Sequence, residues 1–431
     1  MKAEVQLISS DTIKPSSSTP EHLRHHTLSF IDQITPSIFM PLLLFYSRDV
    51  GVAHLSNEER QTRIKKSLSE ALTRFYPLAG RIKDNFHVDC NDEGVHYVEA
   101  KATCKLSEFL EDPNPAEHNK FLPYELDAVN ELALAVQLTT FDCGGIVIGV
   151  VFAHKVLDAS SFFLFLNSWA AIARGSSNVA TPLFESATIF PPVTVPSFIA
   201  PRGSPGKEKI ATKRFVFEGS AIAVLRDKYS SDDANIEYPR PTRVEALSAF
   251  IYDRFLAATQ PDPNKLYSLS HVANVRTRLD PPLSENYFGN ISLATSFEIS
   301  RDTEDVFQRI VLPLRDAMKK VDMNFVKSFQ ESGGSSNFFL ENLERYRKGE
   351  VVALGFTSLC RFPVYEADFG WGKPVWVASA RLLYKNLVGF FDMKSGNGIE
   401  VWINLDEEDM AKFEVHKELL ACVSSAKVSV V

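Results

Sequence analysis

The sequence predicts a two-domain protein with strands and helices mixed in each domain, an α/β or α+β fold. Its 431 residues are more than one hydrophobic core usually supports. Strand and helix patterns occur together in both halves of the chain, which is typical of sheets covered by helices. Between the halves, residues 176–211 are rich in proline, serine and glycine, as linkers are. We therefore predict an N-terminal domain at residues 1–175 and a C-terminal domain at residues 212–431.

The first half contains three clear elements. Residues 57–74 place apolar side chains on one face at helical spacing. Residues 146–153 form an apolar run, interrupted only by Gly149, which predicts a central strand buried on both faces. Residues 159–173 again have helical spacing. Further strands are predicted at residues 4–8, 86–89, 95–100 and 132–141.

The second half also mixes the two kinds of element. Its predicted strands are at residues 213–217, 269–275, 375–380, 387–393 and 398–403. Its predicted helices are at residues 242–258, 303–326, 338–346 and 407–424.

The composition, with 45% hydrophobic and 23% charged residues, is that of an ordinary globular protein and excludes a chain disordered throughout.

Charge and cysteine usage exclude several classes of protein. The net charge is −8, and the basic stripe expected of a nucleic-acid-binding protein is missing. No apolar segment has the length of a membrane span, and the N-terminus has no signal-peptide core. The five cysteines are odd in number and lack Cys-x-x-Cys spacing, so neither disulfides nor a metal site is predicted. We expect a cytoplasmic monomer, and we treat the glycosylation pattern at Asn290 as a chance match.

His154 and Asp158 form a His-x-x-x-Asp pattern directly after the predicted central strand. About 0.6 such matches are expected by chance in a chain of this size, so the position matters more than the pattern. Polar residues at the ends of buried strands lie where sites of α/β proteins collect. A neutral imidazole can remove a proton from an attacking alcohol, because its unperturbed pKa is about 6.5. Asp158 either orients that imidazole or pairs with an arginine, and His154 itself could be a structural strand-end histidine.

A second run, Asp368-Phe369-Gly370-Trp371-Gly372-Lys373-Pro374, requires a specific turn. It contains no nucleophile or group of metal ligands. On physical grounds the run is scaffold, in which Asp368 caps the turn and the aromatic side chains pack.

The two signatures together resemble those of the BAHD acyltransferases of plants. They lie a little over two hundred residues apart, in the order that the family shows. Six more segments resemble the family in family order, at residues 28–33, 76–81, 88–92, 141–145, 242–245 and 274–276. The resemblance therefore covers nearly the whole chain.

The resemblance implies two chloramphenicol-acetyltransferase-like domains joined by a crossover loop, with a channel between them. It implies that His154 is the general base and that Asp158 points away from the pocket to pair with an arginine, for which Arg276 is the candidate. In the family the second signature shapes the channel, here through Gly370, Trp371 and Gly372. Its aspartate is often described as a second proton acceptor, so Asp368 is kept as a catalytic candidate.

The resemblance also implies the substrates. The co-substrate is acetyl-CoA or another acyl-CoA, with no bound cofactor, and the acceptor is a hydroxyl of a bulky apolar alkaloid or terpenoid. Positions near the linker and a helix start suggest Lys213, Arg214 and Arg243 for the coenzyme A phosphates. Family position suggests Phe30 and Phe356 for the substrate pocket.

Other functions remain open from the sequence alone. The acceptor could instead be an acyl sugar or a phenolic compound, with a different acyl-CoA as donor. The protein could also be a thioesterase-like hydrolase that uses His154 to activate water, or a binding protein that has lost activity. A serine esterase is disfavoured because the chain has no Gly-x-Ser-x-Gly elbow.

Overall fold

The computed structural model describes residues 3–48, 55–126, 131–193, 209–230, 239–300, 302–331, 345–346, 348–424 and 427–428. Residues 194–208 of the predicted linker lie outside the described residues, as does most of the helix predicted at residues 338–346. Within the described part, no helix is both long enough and apolar enough to cross a membrane.

The strands of the described chain form three sheets. They are β1 (Val5–Ile13), β2 (His25–Thr27), β3 (Phe39–Tyr46), β4 (Arg81–Lys83), β5 (His87–Asp89), β6 (Val95–Ala102), β7 (Leu134–Phe141), β8 (Ile146–Ala153), β9 (Ile210–Phe217), β10 (Leu266–Asn274), β11 (Ser292–Glu298), β12 (Val351–Ser358), β13 (Trp376–Ala378), β14 (Leu387–Asp392) and β15 (Ile399–Asp406).

The helices cover these sheets. They are α1 (Phe30–Ile34), α2 (Asn57–Arg74), α3 (Leu106–Glu111), α4 (Pro115–His118), α5 (Ala159–Ala173), α6 (Ser186–Ile189), α7 (Gly219–Lys228), α8 (Arg243–Thr259), α9 (Leu312–Lys319) and α10 (Met323–Glu331), followed by two short helices at Glu407–Phe413 and Lys417–Cys422.

The first sheet has the strand order β1-β6-β7-β8-β3-β13. Strand β8 lies between β7 and β3, antiparallel to both, and all eight of its residues are buried. The sequence predicted this central strand with the correct bounds. Helices α2 and α5 pack together over the sheet, where the buried Trp169 indole donates a hydrogen bond to Ser67 Oγ at 3.0 Å. The predicted bounds of both helices are also confirmed.

The second sheet has the order β11-β10-β12-β14-β15-β9 and mixes parallel and antiparallel pairs. Helix α8 packs on it, and its buried side chains share a core with those of α7 and the strands. The helix begins where predicted because Thr242 and Glu245 form a reciprocal capping box. A small third sheet, β2-β5-β4, lies in the first half of the chain.

Strand β13 joins the first sheet although its sequence belongs to the second half. It pairs antiparallel with β3, where Trp376, Val377 and Ala378 face Phe45, Leu44 and Leu43. The chain therefore returns to the first sheet after it has built most of the second. The predicted domain boundaries place β13 in the C-terminal domain and do not predict that it pairs with a strand of the N-terminal half.

Two predicted helices are interrupted in the structure. The helix predicted at residues 303–326 ends at Lys319 and starts again at Met323, where Asp322 accepts a hydrogen bond from the Phe325 N–H at 2.9 Å. The terminal helix predicted at residues 407–424 is divided at His416, whose imidazole caps the last helix. The apolar spacing continues across both breaks, so periodicity alone did not reveal the internal caps.

The backbone of residue 121 explains why glycine interrupts the apolar run of β8. A Cβ atom at Gly149 would lie 1.9 Å from the carbonyl oxygen of Phe121. Because that contact is with backbone in a closely packed core, it cannot be relieved by a side-chain rotation.

We expect Gly149→Ala to lower the free energy of unfolding by about 1–3 kcal/mol, through overpacking. The matched control is Gly389→Ala in β14, where the nearest atom would lie at an ordinary 3.6 Å. Guanidinium denaturation of both variants measures the difference. Equal stability of the two variants would show that the crossing of residue 121 over β8 is not tight.

Candidate active site

His154 lies directly after the central strand β8. Its backbone N–H donates to the Ile38 carbonyl oxygen at 2.9 Å, which extends the pairing between β8 and β3 by one residue. The side chain is half-buried. Its Nδ1 is enclosed and has no hydrogen-bond partner among the described residues.

Burial lowers the pKa of His154 below its ordinary value of 6.5. The carbonyl oxygen of His154 itself, the Asp158 carboxylate and the Asn290 side chain oppose this shift. The imidazole is therefore neutral at pH 7, which is the state that a general base requires.

Asp158 has its carboxylate occupied by structural hydrogen bonds. It caps helix α5 by accepting from the Ser161 N–H at 3.0 Å. It also accepts from the Ile291 N–H at 3.0 Å and from Ser292 Oγ at 2.9 Å. Asp158 therefore ties the start of α5 to a segment of the second half of the chain.

Arg276 is the charged partner of Asp158. Its guanidinium donates through Nη1 to Oδ2 at 2.7 Å and through Nη2 to Oδ1 at 3.1 Å, a two-point contact with both side chains buried. Burial alone would raise the pKa of Asp158, but Arg276 and the hydrogen bonds lower it below its usual range. The remaining N–H groups of Arg276 donate to the carbonyl oxygens of Tyr287 and Gly289. A pair used in this way is structural, and it leaves Asp158 no free oxygen to orient the imidazole.

Asp32 and Asn290 form a second link between the halves, which the sequence did not single out as a site. Asp32, fully buried at the start of α1, accepts from the backbone N–H and from Nδ2 of Asn290, both at 2.7 Å. The same Nδ2 donates to the carbonyl oxygen of His154 at 2.8 Å. Asn290 is 1% exposed, which gives a physical reason to treat its glycosylation pattern as chance.

Lys155 follows the candidate base and points into the protein. Its buried ammonium donates to the carbonyl oxygens of Gln33 at 2.8 Å and Thr35 at 3.1 Å, where α1 ends. Burial lowers the pKa of Lys155 to about 8, although the Asp32 carboxylate opposes the shift. Burial also raises the pKa of Asp32 to about 6, against the hydrogen bonds from Ser29 and Asn290. No feature of the sequence indicated either buried charge.

The second signature forms a closed turn. The Asp368 carboxylate accepts from the backbone N–H groups of Gly370 at 2.8 Å and Gly372 at 2.9 Å. Both glycines have positive φ, 99° and 102°, which L side chains rarely adopt. The Trp371 ring is buried against Tyr46 and Phe369. These contacts assign Asp368 to the turn, and none of them joins it to His154.

The three residues predicted for coenzyme A differ in their surroundings. Arg214 is buried in an ion pair with Glu400 at 2.8 Å and lies over the Trp376 ring, so it does not line a channel mouth. The exposed Lys213 pairs with Glu414 at 2.9 Å. The half-buried Arg243 pairs with Asp392 at 2.9 Å. Contacts of Lys213 and Arg243 with coenzyme A stay predictions, whereas the placement of Arg214 argues against its predicted role.

The two predicted pocket residues belong to the cores. Phe30 is buried in a core cluster that includes Phe190 and Val275, and Phe356 stacks between the rings of His271 and Phe390. A cavity of about 820 Å³ lies between α5 and the strands β10 and β12. Its charged lining consists of Arg174, Arg278, Arg361 and Glu285, whereas Phe30 and Phe356 are not among the lining residues.

Comparison with known proteins identifies the fold and the family. A model of the Transferase family matches residues 3–420. The chain belongs to the BAHD acyltransferase family. It is therefore an enzyme, a transferase, and both the predicted family and the predicted mixed α/β fold with two domains are confirmed.

Relatives in the BAHD family include acetyltransferases of plants. A limonoid 21-O-acetyltransferase of Melia azedarach is 36% identical over 97% of this chain and 98% of its own length. Stemmadenine O-acetyltransferase of Catharanthus roseus is 35% identical over 95% of this chain and 96% of its own length.

Two solved structures share the architecture. The crystal structure of vinorine synthase is 31% identical and matches with a TM-score of 0.85, over 99% of this chain and 100% of that one. The structure of F. graminearum TRI101 complexed with coenzyme A and deoxynivalenol has a TM-score of 0.70 at 16% identity, over 93% of this chain and 99% of that one. This second likeness concerns the fold alone.

We expect Arg276→Ala to lower the free energy of unfolding by about 3–5 kcal/mol at pH 7, because it leaves Asp158 buried without its charged partner. Since the pKa of Asp158 is lowered from 3.8, the stabilisation is present above that value and is lost as the pH falls through the lower folded value. Guanidinium denaturation at several pH values measures both effects.

The control for this prediction is Lys213→Ala, which breaks the exposed pair with Glu414. Exposed ion pairs contribute about 0–1 kcal/mol, so the loss should be small. Similar losses in the two variants would contradict the structural importance of the buried pair.

Proposed function

We propose that the protein transfers an acetyl group from acetyl-CoA to a hydroxyl of a bulky apolar specialised metabolite, an alkaloid or a terpenoid. His154 acts as the general base within a ternary complex of enzyme, acyl-CoA and alcohol. The observation that carries the proposal is a half-buried histidine directly after the central strand, kept neutral because burial lowers its pKa.

The relatives support the acetyl donor and the class of acceptor. A limonoid O-acetyltransferase and stemmadenine O-acetyltransferase are each matched along almost the whole chain. The names of both relatives describe acetyl transfer to an oxygen of a plant metabolite. This agreement favours acetyl-CoA over longer donors and apolar polycyclic alcohols over sugars.

The proposed reaction proceeds in two steps. The alcohol oxygen attacks the thioester carbonyl carbon while Nε2 of His154 takes the hydroxyl proton. The tetrahedral intermediate then collapses, the carbon–sulfur bond breaks, and the imidazolium returns the proton to the departing thiolate. The products are the ester and free coenzyme A, and no acyl-enzyme is formed.

The cavity beside α5, which His154 does not line, supports an anionic co-substrate through its charge. Three arginines and one glutamate line it, so its local charge is positive although the whole chain carries −8. A local positive surface attracts phosphate groups even in an acidic protein. The proposal retains Lys213 and Arg243 as further coenzyme A contacts and a monomeric, cytoplasmic enzyme. Phe30 and Phe356 are not retained as pocket residues, because both are buried in the cores.

We expect His154→Ala to lower kcat for acetyl transfer by about 10²–10⁴-fold, which is the usual contribution of a general base. The assay incubates acetyl-CoA with alcohols of alkaloid and terpenoid type and detects the acetylated product by mass. His22→Ala, at an exposed histidine, is the control and should retain full activity. An equal rate for His154→Ala and wild type would refute the mechanism, and release of thiol without any alcohol would indicate a hydrolase.

We expect kcat/KM of the wild type to fall in acid with a midpoint below pH 6.5. Burial lowers the pKa of His154, so the base is protonated only at lower pH than a free imidazole. Initial rates between about pH 5 and pH 9 give the midpoint. A midpoint above 6.5 would be inconsistent with this environment of the base.

A further inference from the structure

We propose that Asn290 is a positioning residue for the reaction: held by Asp32, it fixes the backbone carbonyl of His154 and with it the orientation of the base. The inference rests on the proposed role of His154. It concerns an asparagine that is 136 residues distant from the base along the chain.

The two hydrogens of the Asn290 amide have separate acceptors. Nδ2 donates to Asp32 Oδ1 at 2.7 Å and to the His154 carbonyl oxygen at 2.8 Å. The Asn290 backbone N–H donates to the same Asp32 oxygen. The amide is thereby oriented by the Asp32 carboxylate on one side and presents its second hydrogen to the backbone carbonyl oxygen of His154 on the other.

Asp32 is itself held in place. Its second oxygen accepts from the backbone N–H of Ser29 at 2.8 Å and from Ser29 Oγ at 2.7 Å, in the capping box that starts α1. Asp32 is fully buried. Such a carboxylate, with all its hydrogen bonds made within the protein, is a rigid anchor.

The segment around Asn290 is fixed on both sides. Gly289 accepts from Ser161 Oγ at 2.8 Å through its carbonyl oxygen, and Ile291 donates to Asp158 at 3.0 Å. Asn290 therefore inherits its position from the buried pair of Asp158 and Arg276. The base is fixed at both ends of its residue, with its N–H on Ile38 and its carbonyl on Asn290.

This carbonyl matters to the chemistry because it acts on the imidazole of the same residue. The carbonyl oxygen of His154 stabilises the protonated ring, and so does the Asn290 side chain, against the effect of burial on the pKa. A backbone held at both its N–H and its carbonyl restricts displacement of the ring, so the imidazole keeps one orientation toward the substrate proton. Asn290 thus acts through His154 and does not touch the substrate.

The test is steady-state kinetics of Asn290→Ala. A small misplacement of a catalytic group costs about 10²-fold in rate, so we expect kcat to fall by that factor with KM for both substrates within about twofold. The acid midpoint of kcat/KM should move to lower pH, because the contact with Asn290 raises the pKa of His154. A residue with a merely structural role would leave this midpoint unchanged.

The matched control is Asn119→Ala. Asn119 also bridges the two halves through its side chain, by donating to the Arg381 carbonyl and accepting from the Arg381 N–H, but it makes no contact with His154. Loss of the Asn119 side chain should leave kcat and the acid midpoint of kcat/KM unchanged.

If Asn290→Ala does not fold, Asp32→Asn is measured instead. This variant preserves size and shape but removes the charged anchor of Asn290, so the same changes in kcat and in the acid midpoint are expected.

The outcomes separate the two proposals. Loss of activity in His154→Ala with normal kcat and midpoint in the Asn290 or Asp32 variant would overturn the positioning role and leave the proposed function intact. Full activity in His154→Ala would overturn both. A loss in the Asn119 control equal to that of Asn290→Ala would also count against a specific role of Asn290.

Discussion

The buried contact between Asp158 and Arg276 is the interaction on which the candidate site depends. It joins the first turn of α5 to residues 287–292 of the second half, and so brings together the two sides of the site. Removal of two charges from water is costly, and the cost is offset here because both carboxylate oxygens and most guanidinium N–H groups have partners. The geometry explains how an aspartate one turn beyond the base can matter without taking part in proton transfer.

The second signature supports the site from a distance. Its aspartate closes a turn on Gly370 and Gly372, and the Tyr46 hydroxyl donates to the Ala367 carbonyl at 2.7 Å, so the turn is anchored on β3. The turn leads directly into β13, which extends the first sheet. We interpret the signature as the turn that positions β13, from the second half of the chain, against β3, the strand beside β8 and His154.

The elements that were predicted correctly are those with a clear local pattern of apolar residues. Strand β8 was predicted because its apolar run is nearly continuous, and helices α2 and α5 because their helical spacing is long. Strand β3 was not predicted. It contains Pro41, which lies beyond the part of β3, Leu43–Phe45, that β13 pairs with. The resemblance to the family pointed to His154 and Arg276. Asn290 could not be found, because its contact with Asp32 spans 258 residues and leaves no periodic trace.

The return of the chain at β13 has a consequence for how the protein can be divided. A fragment that ends at the linker would leave β3 without its neighbour, and an exposed apolar edge strand is a template for aggregation. The remaining fragment would carry Trp376 and Val377 without the β3 strand with which they pair. The two halves are therefore domains in architecture but one unit in assembly, and recombination between relatives should preserve β3 and β13 as a pair from the same parent.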